Sequence, residues 1–427
     1  MEQYVQMKSS GVPWLLDIPE TWGIRVLFQL ADQVKNKNKD LSEQNLLSLS
    51  YGRIKRKDIN SSDGLLPESF DGYNIIEAND IVLRLTDLQN DHTSLRVGQS
   101  HERGIITSAY TTLRPSALVW PAYLYYVLHA YDLIKGFYGM GSGVRQGLNY
   151  DEVKTIKIPF PSQTEQQAIA AYLDDQVAQI DSIIAEAQAS IEEYKQWKAS
   201  VIFEIVTKGL DATTAMRRSS NPGIGMIPAH WKEAKVKQVA QINPSCPVGN
   251  LTLNDEVSFA PMECIRADRR IPKTAPLASN NSSYSSFLDG DIALAKVTPC
   301  FQNSNVCIME NLVNGYAFGS SELFNIRPTS VNSRFLLYYF MTETFKDGGV
   351  ASMTGVAGLQ RVSSSYVRNA VLPYPNASEQ TAIVNYLDEK CRIIDGITEE
   401  KQSLIADLES YKRSLIYEVV TGKRKVV

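Results

Sequence analysis

Runs of basic side chains are the part of this sequence best suited to bind a charged ligand. Residues 53–57 place four cations in five positions, directly after the turn-forming pair Tyr51-Gly52. Arginine and lysine bind phosphate oxygens, and arginine also reads guanine in the major groove. A single such residue is more often a solvated surface charge, but clusters in both halves of the chain together indicate nucleic acid as the ligand. The candidate residues are Arg53, Lys55, Arg56, Lys57, Arg84, Arg96, Arg145, Gln146, Arg266, Arg269, Arg270, Lys296, Gln360 and Arg361.

Motifs for catalysis are incomplete in this sequence. Residues 243–246 read Asn-Pro-Ser-Cys, which resembles the Asn-Pro-Pro-aromatic motif of adenine methyltransferases but lacks the second proline and the aromatic residue. Residues 139–143 are rich in glycine, but no helix-opening pattern follows them. The sequence has no Gly-x4-Gly-Lys-Ser/Thr phosphate loop and no glycine-rich cofactor loop after a first strand. These gaps predict a chain without a catalytic site of its own.

Composition further narrows the classes of protein to which this chain could belong. The five cysteines form no Cys-x-x-Cys pair and the four histidines have no ligand-like spacing, so we expect neither a zinc site nor a disulfide framework. This cysteine usage fits a reducing cytoplasm. No apolar run approaches the roughly 18 residues of a membrane helix. The net charge of −4 is distributed unevenly along the chain. Residues 163–206 carry −6 and residues 377–427 carry −1, which leaves +3 on the remaining residues.

One long internal repeat organises the chain. Residues 159–207 align without a gap with residues 373–421, at a shift of 214, and 21 of the 49 positions are identical. Shorter pairs of matching residues precede both copies, and the order is therefore variable region, shared segment, variable region, shared segment. The preceding pairs are Ile18-Pro19 and Trp22 with Ile227-Pro228 and Trp231, Asp80-Ile81 with Asp291-Ile292, Arg114-Pro115 with Arg327-Pro328, and Tyr125-Tyr126 with Tyr338-Tyr339.

The repeated segments have the apolar spacing of long helices. Apolar residues recur at alternating intervals of four and three, with Lys198 in the one skipped position of the first copy. Ser162 or Thr164 is predicted to cap the first helix and Ser378 the second, and Gly209 and Gly422 stand where helices usually end. An isolated amphipathic helix of this length would expose its apolar face. We therefore expect the two helices to pair with each other, antiparallel; two unrelated surface helices are the alternative.

The variable regions alternate short β-branched runs with turns, which indicates mixed α/β domains. Helices are predicted near residues 122–133 and 333–345. The predicted fold class is α/β (α+β): two globular domains separated by two long antiparallel helices that form an intramolecular coiled coil, with a pseudo-twofold repeat. The predicted division is domains at 1–162 and 224–376, helices at 163–208 and 377–427, and a linker at 209–223.

This layout resembles the specificity (S) subunits of type I restriction–modification systems. The resemblance is carried by Pro159-x-Pro161-x3-Glu165-Gln166-x2-Ile169 followed by Tyr172-Leu173-Asp174, by the second copy from Pro373, and by the Ile-Pro-x2-Trp openings at residues 18–22 and 227–231. Each motif alone is weak, but their doubled arrangement is specific and spans nearly the whole chain. One departure is that residues 354–358 lack an arginine corresponding to Arg145.

The resemblance implies that each α/β domain is a target-recognition domain that reads one half of a split sequence in double-stranded DNA. It further implies that the helices dock two methyltransferase subunits, joined by two restriction/translocase subunits. S-adenosylmethionine, ATP and magnesium would be held by those partners, with no cofactor in this chain and no membrane partner. The competing classes are a stand-alone DNA methyltransferase and a coiled-coil scaffold that does not bind DNA. The bases recognised do not follow from the sequence.

Overall fold

The computed structural model describes residues 4–60, 67, 69–140, 147–280, 283–355 and 360–426. The fold is mixed α/β, and the chain divides into two compact units. Unit 1 comprises Met1–Gln188 and Gln402–Val427, and unit 2 comprises Ala189–Lys401. Each of the two long helices is therefore shared, with one part in each unit.

Unit 1 is built on an antiparallel four-stranded sheet in the order β4-β11-β8-β9. Strand pairs β1-β2, β5-β6, β7-β10 and β3-β12 surround this sheet. Its strands are β1 (Met7–Ser9), β2 (Asp17–Pro19), β3 (Gly23–Val26), β4 (Ala31–Gln33), β5 (Leu47–Ser50), β6 (Arg53–Arg56), β7 (Asn74–Ile76), β8 (Ile81–Leu83), β9 (Val97–Gln99), β10 (Gly104–Ile106), β11 (Thr111–Pro115) and β12 (Lys157–Phe160). Its helices are α1 (Pro121–Leu133), α2 (Tyr150–Val153), the first part of α3 (Gln163–Lys208) and the last part of α8 (Ala377–Val420).

Unit 2 repeats this plan with the antiparallel sheet β16-β25-β22-β23 and adds a second sheet, β20-β17-β24-β21, in which β17 and β24 are parallel. Its strands are β13 (Met216–Arg218), β14 (Met226–Pro228), β15 (Lys232–Lys235), β16 (Ala240–Ile242), β17 (Glu256–Ala260), β18 (Ile265–Arg266), β19 (Arg269–Arg270), β20 (Thr274–Pro276), β21 (Ser285–Leu288), β22 (Ile292–Ala295), β23 (Val306–Ile308), β24 (Tyr316–Gly319), β25 (Leu323–Pro328) and β26 (Val371–Tyr374). Its helices are the last part of α3, α4 (Val236–Val239), α5 (Ser333–Met341), α6 (Glu343–Ala351), α7 (Ser364–Asn369) and the first part of α8.

The long helices start with the same capping arrangement. Glu165 N–H donates to Ser162 Oγ, and Ser162 N–H donates back to the Glu165 carboxylate, which is a capping box. In α8 the equivalent cap is Asn376, whose Oδ1 accepts from Glu379 N–H at 3.0 Å. The prediction of Ser378 as that cap was wrong, because Asn376 occupies the Ser162 position of the repeat.

Two other local predictions also need correction. The helix predicted at residues 333–345 is two helices, because Thr342 is extended and caps α6 by accepting from Phe345 N–H through its Oγ1. The predicted linker, residues 209–223, contains strand β13, which pairs with β14. Arg217 holds this strand in place by donating to Glu233 at 2.9 Å.

Each unit has its own apolar core, and both cores include parts of the long helices. In unit 1, Ile180 and Ile184 of α3 and Leu415 of α8 are buried together with domain residues such as Trp22. In unit 2, the corresponding core takes Ile202 from α3 and Leu387 from α8. Residues from the heptad-spaced faces of both long helices are therefore buried in the core of each unit.

Candidate nucleic-acid interface

The basic cluster of unit 1 lies on a β-hairpin formed by β5 and β6. Ser50 pairs with Arg53 across a two-residue turn, Tyr51-Gly52, in which both residues have positive φ (48° and 76°). This turn geometry favours glycine at the second position and matches the twist of the strands. Ile54 packs inward beside the buried Leu49, whereas the side chains of the cationic residues on β6 are exposed to solvent.

Two of these cations already have acidic partners. Arg53 Nη2 lies 2.6 Å from Asp181 Oδ2 of α3, and Arg56 Nε lies 2.8 Å from Glu102. Both arginine side chains are about 70% exposed, so these ion pairs contribute little to stability. Lys55 and Lys57 are exposed and, within the described residues, have no ion-pair partner.

Arg96 has a structural role. Its side chain is fully buried, its Nη1 donates to the carbonyl of Thr86 at 2.7 Å and its Nη2 to that of Asp87 at 3.2 Å, and its Nε donates to Tyr138 Oη at 2.9 Å. A buried guanidinium whose donors are occupied orders the 86–91 loop and is not available to DNA, so the prediction of Arg96 as a DNA contact is corrected. The neighbouring Arg84 is partly exposed, with Nη1 at 3.6 Å from Asp91 Oδ2.

In unit 2 three predicted arginines share a second hairpin, formed by β18 and β19. Arg266 pairs with Arg269 across the turn, and Ile265 pairs with Arg270. The carboxylate of the turn residue Asp268 accepts hydrogen bonds from Nη1 and Nη2 of Arg334 of α5, at 2.6 and 2.9 Å. Arg266 and Arg269 are exposed, whereas Arg270 is half-buried.

The remaining predicted residues of unit 2 lie together around Glu322. Arg361 donates to both Glu322 oxygens, and Lys296 N–H donates to the Glu322 carbonyl at 2.9 Å. Lys296 Nζ donates to Ser321 O at 2.7 Å and lies 4.8 Å from the centre of the Phe324 ring. Desolvation by burial lowers the pKa of Lys296. The structure thus brings Lys296, Gln360 and Arg361 together, with Gln360 exposed beside them.

Arg145 and Gln146 lie outside the described residues, as does most of the matching second loop, residues 356–359. Where the chain is described again, the two loops make the same backbone contact. Leu148 N–H donates to Leu85 O at 2.8 Å in unit 1, and Val362 N–H donates to Lys296 O at 2.9 Å in unit 2.

One further group of cations escaped the sequence analysis. Lys35 and Lys39 are exposed on an extended segment that runs beside β7, and Lys37 between them donates to Gly72 O at 2.8 Å. Lysines at three alternate positions after a strand were the signal that could have identified this group, because alternation places side chains on one face.

The repeated motifs form the joint between each domain and the long helices. Trp22 Nε1 donates to Glu165 Oε1 at 3.2 Å, and Trp231 Nε1 donates to Glu379 Oε1 at 3.0 Å. Both tryptophans are buried. The Ile-Pro-x2-Trp openings are therefore explained by attachment to the first turn of the outgoing helix.

Each tryptophan also lies against the glycine that ends the other long helix. Gly422 follows the end of α8 with φ +72°, and a Cβ there would be 3.2 Å from the Trp22 ring. Gly209 follows the end of α3 with φ +76°, and a Cβ there would be 3.0 Å from the Trp231 ring. In both units one side chain thus fixes the start of one helix and the end of the other.

The glutamines of the repeated Glu-Gln pair connect the same helices to the domain. Gln166 Oε1 accepts from Trp120 N–H at the start of α1, and Gln380 Oε1 accepts from Asn332 N–H at the start of α5, both at 2.8 Å. Trp120 therefore corresponds to Asn332, and the two domains align in this region at a shift of 212 residues.

The aspartates of the repeated Tyr-Leu-Asp accept from tyrosines on the same short helices. Tyr126 Oη donates to Asp174 at 2.8 Å, and Tyr338 Oη donates to Asp388 at 2.5 Å. Tyr126 therefore corresponds to Tyr338, one position away from the pairing that the sequence suggested. The repeated block is explained by this joint and does not require a ligand.

A second repeated pair holds the central sheet of each domain. Arg114 donates to both oxygens of the buried Asp80, at 2.8 and 2.7 Å, and Arg327 does the same to the buried Asp291, at 2.6 and 2.7 Å. Two parallel hydrogen bonds between charged groups are strong and fix geometry. The matching Asp-Ile and Arg-Pro residues of the sequence are thus partners of each other.

The two long helices contact each other through ion pairs within each unit. In unit 1, Asp181 Oδ1 of α3 lies 2.6 Å from Lys412 Nζ of α8. In unit 2, Lys198 Nζ of α3 lies 2.7 Å from Asp395 Oδ2 of α8. Lys198, which interrupts the apolar spacing, is therefore explained by its acidic partner.

The segment that resembles a methyltransferase motif is a turn beside the sheet. Asn243 has φ +52°, and its Oδ1 accepts from Asn325 N–H at 3.0 Å. Its side-chain carbonyl is thus occupied by strand β25. In the described residues no group of three or more His, Cys, Asp or Glu side chains is placed to hold a metal ion. No described helix is long and apolar enough to span a membrane.

Comparison with known proteins gives a consistent result. Residues 19–193 match the family model of the type I restriction modification DNA specificity domain. The EcoEI and EcoAI specificity subunits of type I restriction enzymes from Escherichia coli are 35% and 34% identical over 186 residues. These matches cover 42% of this chain and only 30% of each relative. A putative type I restriction enzyme MjaX specificity subunit from Methanocaldococcus jannaschii is 22% identical over 96% of this chain and 95% of its own length.

Two solved structures share the fold. One is a chain from a structure that addresses complex assembly and conformational transition of the type I R-M system, with a TM-score of 0.69, 13% identity, and coverage of 94% of this chain and 98% of that one. The other is the HsdS subunit from Thermoanaerobacter tengcongensis, with a TM-score of 0.51, 15% identity, and coverage of 95% and 98%. The chain is therefore similar to the specificity subunits of type I restriction–modification systems, and residues 19–193 match the model of their DNA specificity domain.

Proposed function

We propose that this chain is the non-catalytic DNA-recognition subunit of a type I restriction–modification complex and that it reads a two-part DNA sequence, one part with each unit. The observation that carries the proposal is the repetition of one domain plan with different basic hairpins. The Trp–Glu, Tyr–Asp and Arg–Asp contacts are the same in both units. The hairpins differ, with β5–β6 in unit 1 and β18–β19 in unit 2.

A shared frame with different exposed cations is what two recognition domains for two different targets require. Frame contacts must be kept for the domain to fold, whereas residues that read bases change with the target. The frame residues are buried or half-buried, and the hairpin cations are mostly exposed. We assign the DNA contacts to Arg53, Lys55, Arg56 and Lys57 of unit 1 and to Arg266, Arg269 and Arg270 of unit 2, with Lys35 and Lys39 as additions.

The helices α3 and α8 are proposed to form an antiparallel coiled coil that spaces the two domains, relates them by a pseudo-twofold axis and docks two methyltransferase subunits. Two restriction/translocase subunits would complete the complex, in the cytoplasm. Support comes from the ion pairs, in which Asp181 meets Lys412 and the equivalent Asp395 meets Lys198. S-adenosylmethionine, ATP and magnesium are assigned to the partners, and the target adenine would be flipped into the methyltransferase.

Transfer of a labelled methyl group to duplex DNA tests the proposed division of labour. The purified chain alone should transfer none, and the same chain mixed with its methyltransferase subunit should support transfer. The Lys55→Ala/Lys57→Ala variant should bind DNA more weakly, with a shallower dependence on salt, because both lysines lack acidic partners in the described residues. Methyl transfer by the chain alone would show that it is an enzyme, and DNA binding unchanged by the double substitution would remove this hairpin from the interface.

A further inference from the structure

A cavity of about 330 Å³ in unit 2 lies beside the β18–β19 hairpin and is lined by three cations. These are Arg269, Arg270 and Lys273, from β19 and the segment that leads into β20. Arg270 is the unusual member. Its Nε and Nη1 atoms are buried and have no hydrogen-bond acceptor in the described part of the chain, and its Nη2 makes only a long contact of 3.4 Å with Glu310 O.

No acidic group on this cavity neutralises Arg270. Asp268, the nearest carboxylate in sequence, is held by Arg334 at 2.6 and 2.9 Å. The Cys307 thiol has its pKa raised to about 12 by burial, and it therefore carries no charge at neutral pH. Glu310 also lines the cavity, but it is exposed, and the other lining carboxylate, Asp268, is the one held by Arg334. Lys273 lies 3.6 Å from Glu263, so Arg269 and Arg270 are the lining cations for which the described residues show no ion pair.

Buried N–H groups that lack an acceptor are costly, and natural structures seldom keep them without a ligand or a function. An anion in the cavity would give the guanidinium the acceptors that it lacks. Phosphate suits such a site, because arginine forms paired hydrogen bonds with phosphate oxygens and lysine adds a point charge. The cavity also opens on the hairpin that carries the exposed Arg266 and Arg269.

We propose that this cavity binds a phosphate group of the DNA backbone, with Arg270 as its central ligand and Lys273 and Arg269 at its rim. This inference rests on the proposed DNA-recognition function and refines it. Arg270 would then position the hairpin on the DNA and would not choose the bases, a task left to more exposed side chains such as Arg266.

The test uses the full chain and a duplex of mixed sequence, with binding followed by fluorescence anisotropy over a series of salt concentrations. Each phosphate contact contributes about −0.9 to the slope of log K against log salt concentration. Arg270→Met should therefore make the slope shallower by about 0.9, and Arg270→Lys should restore most of it. Arg392→Ala is the matched control, because Arg392 is an exposed arginine of the same unit that pairs with Glu389, and it should leave the slope unchanged.

A second arm uses inorganic phosphate alone, with ionic strength held constant by chloride. Phosphate should raise the melting temperature of the wild-type chain and not that of Arg270→Met. The substituted chain should melt at the same or a higher temperature without phosphate, because two buried N–H groups without acceptors have been removed.

The outcomes separate the two levels of the proposal. A phosphate effect that is lost in Arg270→Met together with an unchanged DNA slope would identify a site for free anions and overturn the backbone assignment. An Arg270→Met chain that matches the wild type in both arms would overturn the site altogether. If the wild-type chain did not bind duplex DNA at any salt concentration, the proposed function itself would fall, whatever the phosphate arm showed.

Discussion

Lys198 Nζ of α3 lies 2.7 Å from Asp395 Oδ2 of α8, and the residues 214 positions away from each, Lys412 and Asp181, form the other ion pair between these helices at 2.6 Å. An exchange of this kind, in which a lysine on either helix meets an aspartate on the other, is what the proposed antiparallel pairing of the two helices would produce. Each pair lies within one unit, so the same register is set independently in both.

The Lys198–Asp395 pair should stabilise unit 2 by a measurable amount. Lys198 is only 19% exposed, which reduces screening by solvent, although Asp395 is 52% exposed. A double-mutant cycle with Lys198→Met and Asp395→Asn should give a coupling free energy of about 0.5–1 kcal/mol in urea unfolding. The matched control is the cycle for Lys195 and Glu192, a pair within α3 that is more than 60% exposed on both sides, for which we expect a value near zero. Equal coupling free energies in the two cycles would mean that the contact between the helices adds nothing to the stability of unit 2.

Gly422→Ala should destabilise unit 1 through the joint at Trp22. The added Cβ would lie 2.3 Å from Pro19 Cδ, and φ is +72°. The backbone strain costs about 1–2 kcal/mol, and overpacking adds a further 1–3 kcal/mol or so. Gly225→Ala is the control, because its φ of +79° imposes the same strain while nothing lies within 4 Å of the new Cβ. Melting followed by tryptophan fluorescence should show the larger loss in Gly422→Ala, and equal losses would argue against close packing at this joint.

The free energy of unfolding of unit 1 should contain a contribution from Asp132 that decreases as the pH rises. Burial raises the pKa of Asp132 to about 6, above its ordinary value of 3.8, although Asp132 Oδ2 accepts from Arg96 N–H at 2.7 Å. A raised folded-state pKa means that the folded state holds the proton more tightly. The stability that this carboxyl group contributes is thus fully present below its pKa in the unfolded state and is lost as the pH rises through about 6.

Asp132→Asn removes this pH dependence and keeps an acceptor for Arg96 N–H. Its melting temperature should exceed that of the wild type increasingly between pH 4 and pH 8, with a gain on the order of 1–3 kcal/mol at the upper end. Burial lowers the pKa of His129 to about 4, which opposes this trend but does so equally in both chains. Asp151→Asn, at an exposed site where the hydrogen bond and charge of Lys154 lower the carboxyl pKa, should show the opposite trend with pH. A difference between Asp132→Asn and wild type that did not grow with pH would contradict the assignment.

The long helices were predictable from the sequence, because apolar periodicity and terminal glycines are local signals. The predicted second helix, residues 377–427, was too long, because α8 ends at Val420, before Gly422. The joint between each domain and the long helices was predictable only in part. Repetition marked Trp22, Glu165 and Asp80 as important, but their partners depend on how distant strands meet. The correspondence of Tyr126 with Tyr338 was missed by one position for the same reason, since only the contact with the helix aspartate reveals it.

The candidate site was the least predictable part. A basic residue in the sequence can be a free cation, a member of a surface ion pair or a buried structural group, and Lys55, Arg53 and Arg96 are one of each. Which of these roles a basic residue takes depends on where remote segments place their carbonyl and carboxylate oxygens. Asp181 of α3, for example, supplies the partner of Arg53. Local composition carries no information on that point.

The central claim, that each unit reads its own half of a split DNA sequence, is tested most directly by exchanging one unit's recognition domain and mapping methylated adenines. Residues 13–160 would be replaced by the corresponding domain of another specificity subunit, and the chain expressed with its methyltransferase partner in a host that lacks other adenine methylation. The account predicts a two-part methylated sequence in which one half changes, while the other half and the number of base pairs between them stay the same. A change in both halves, or an unchanged sequence, would contradict it.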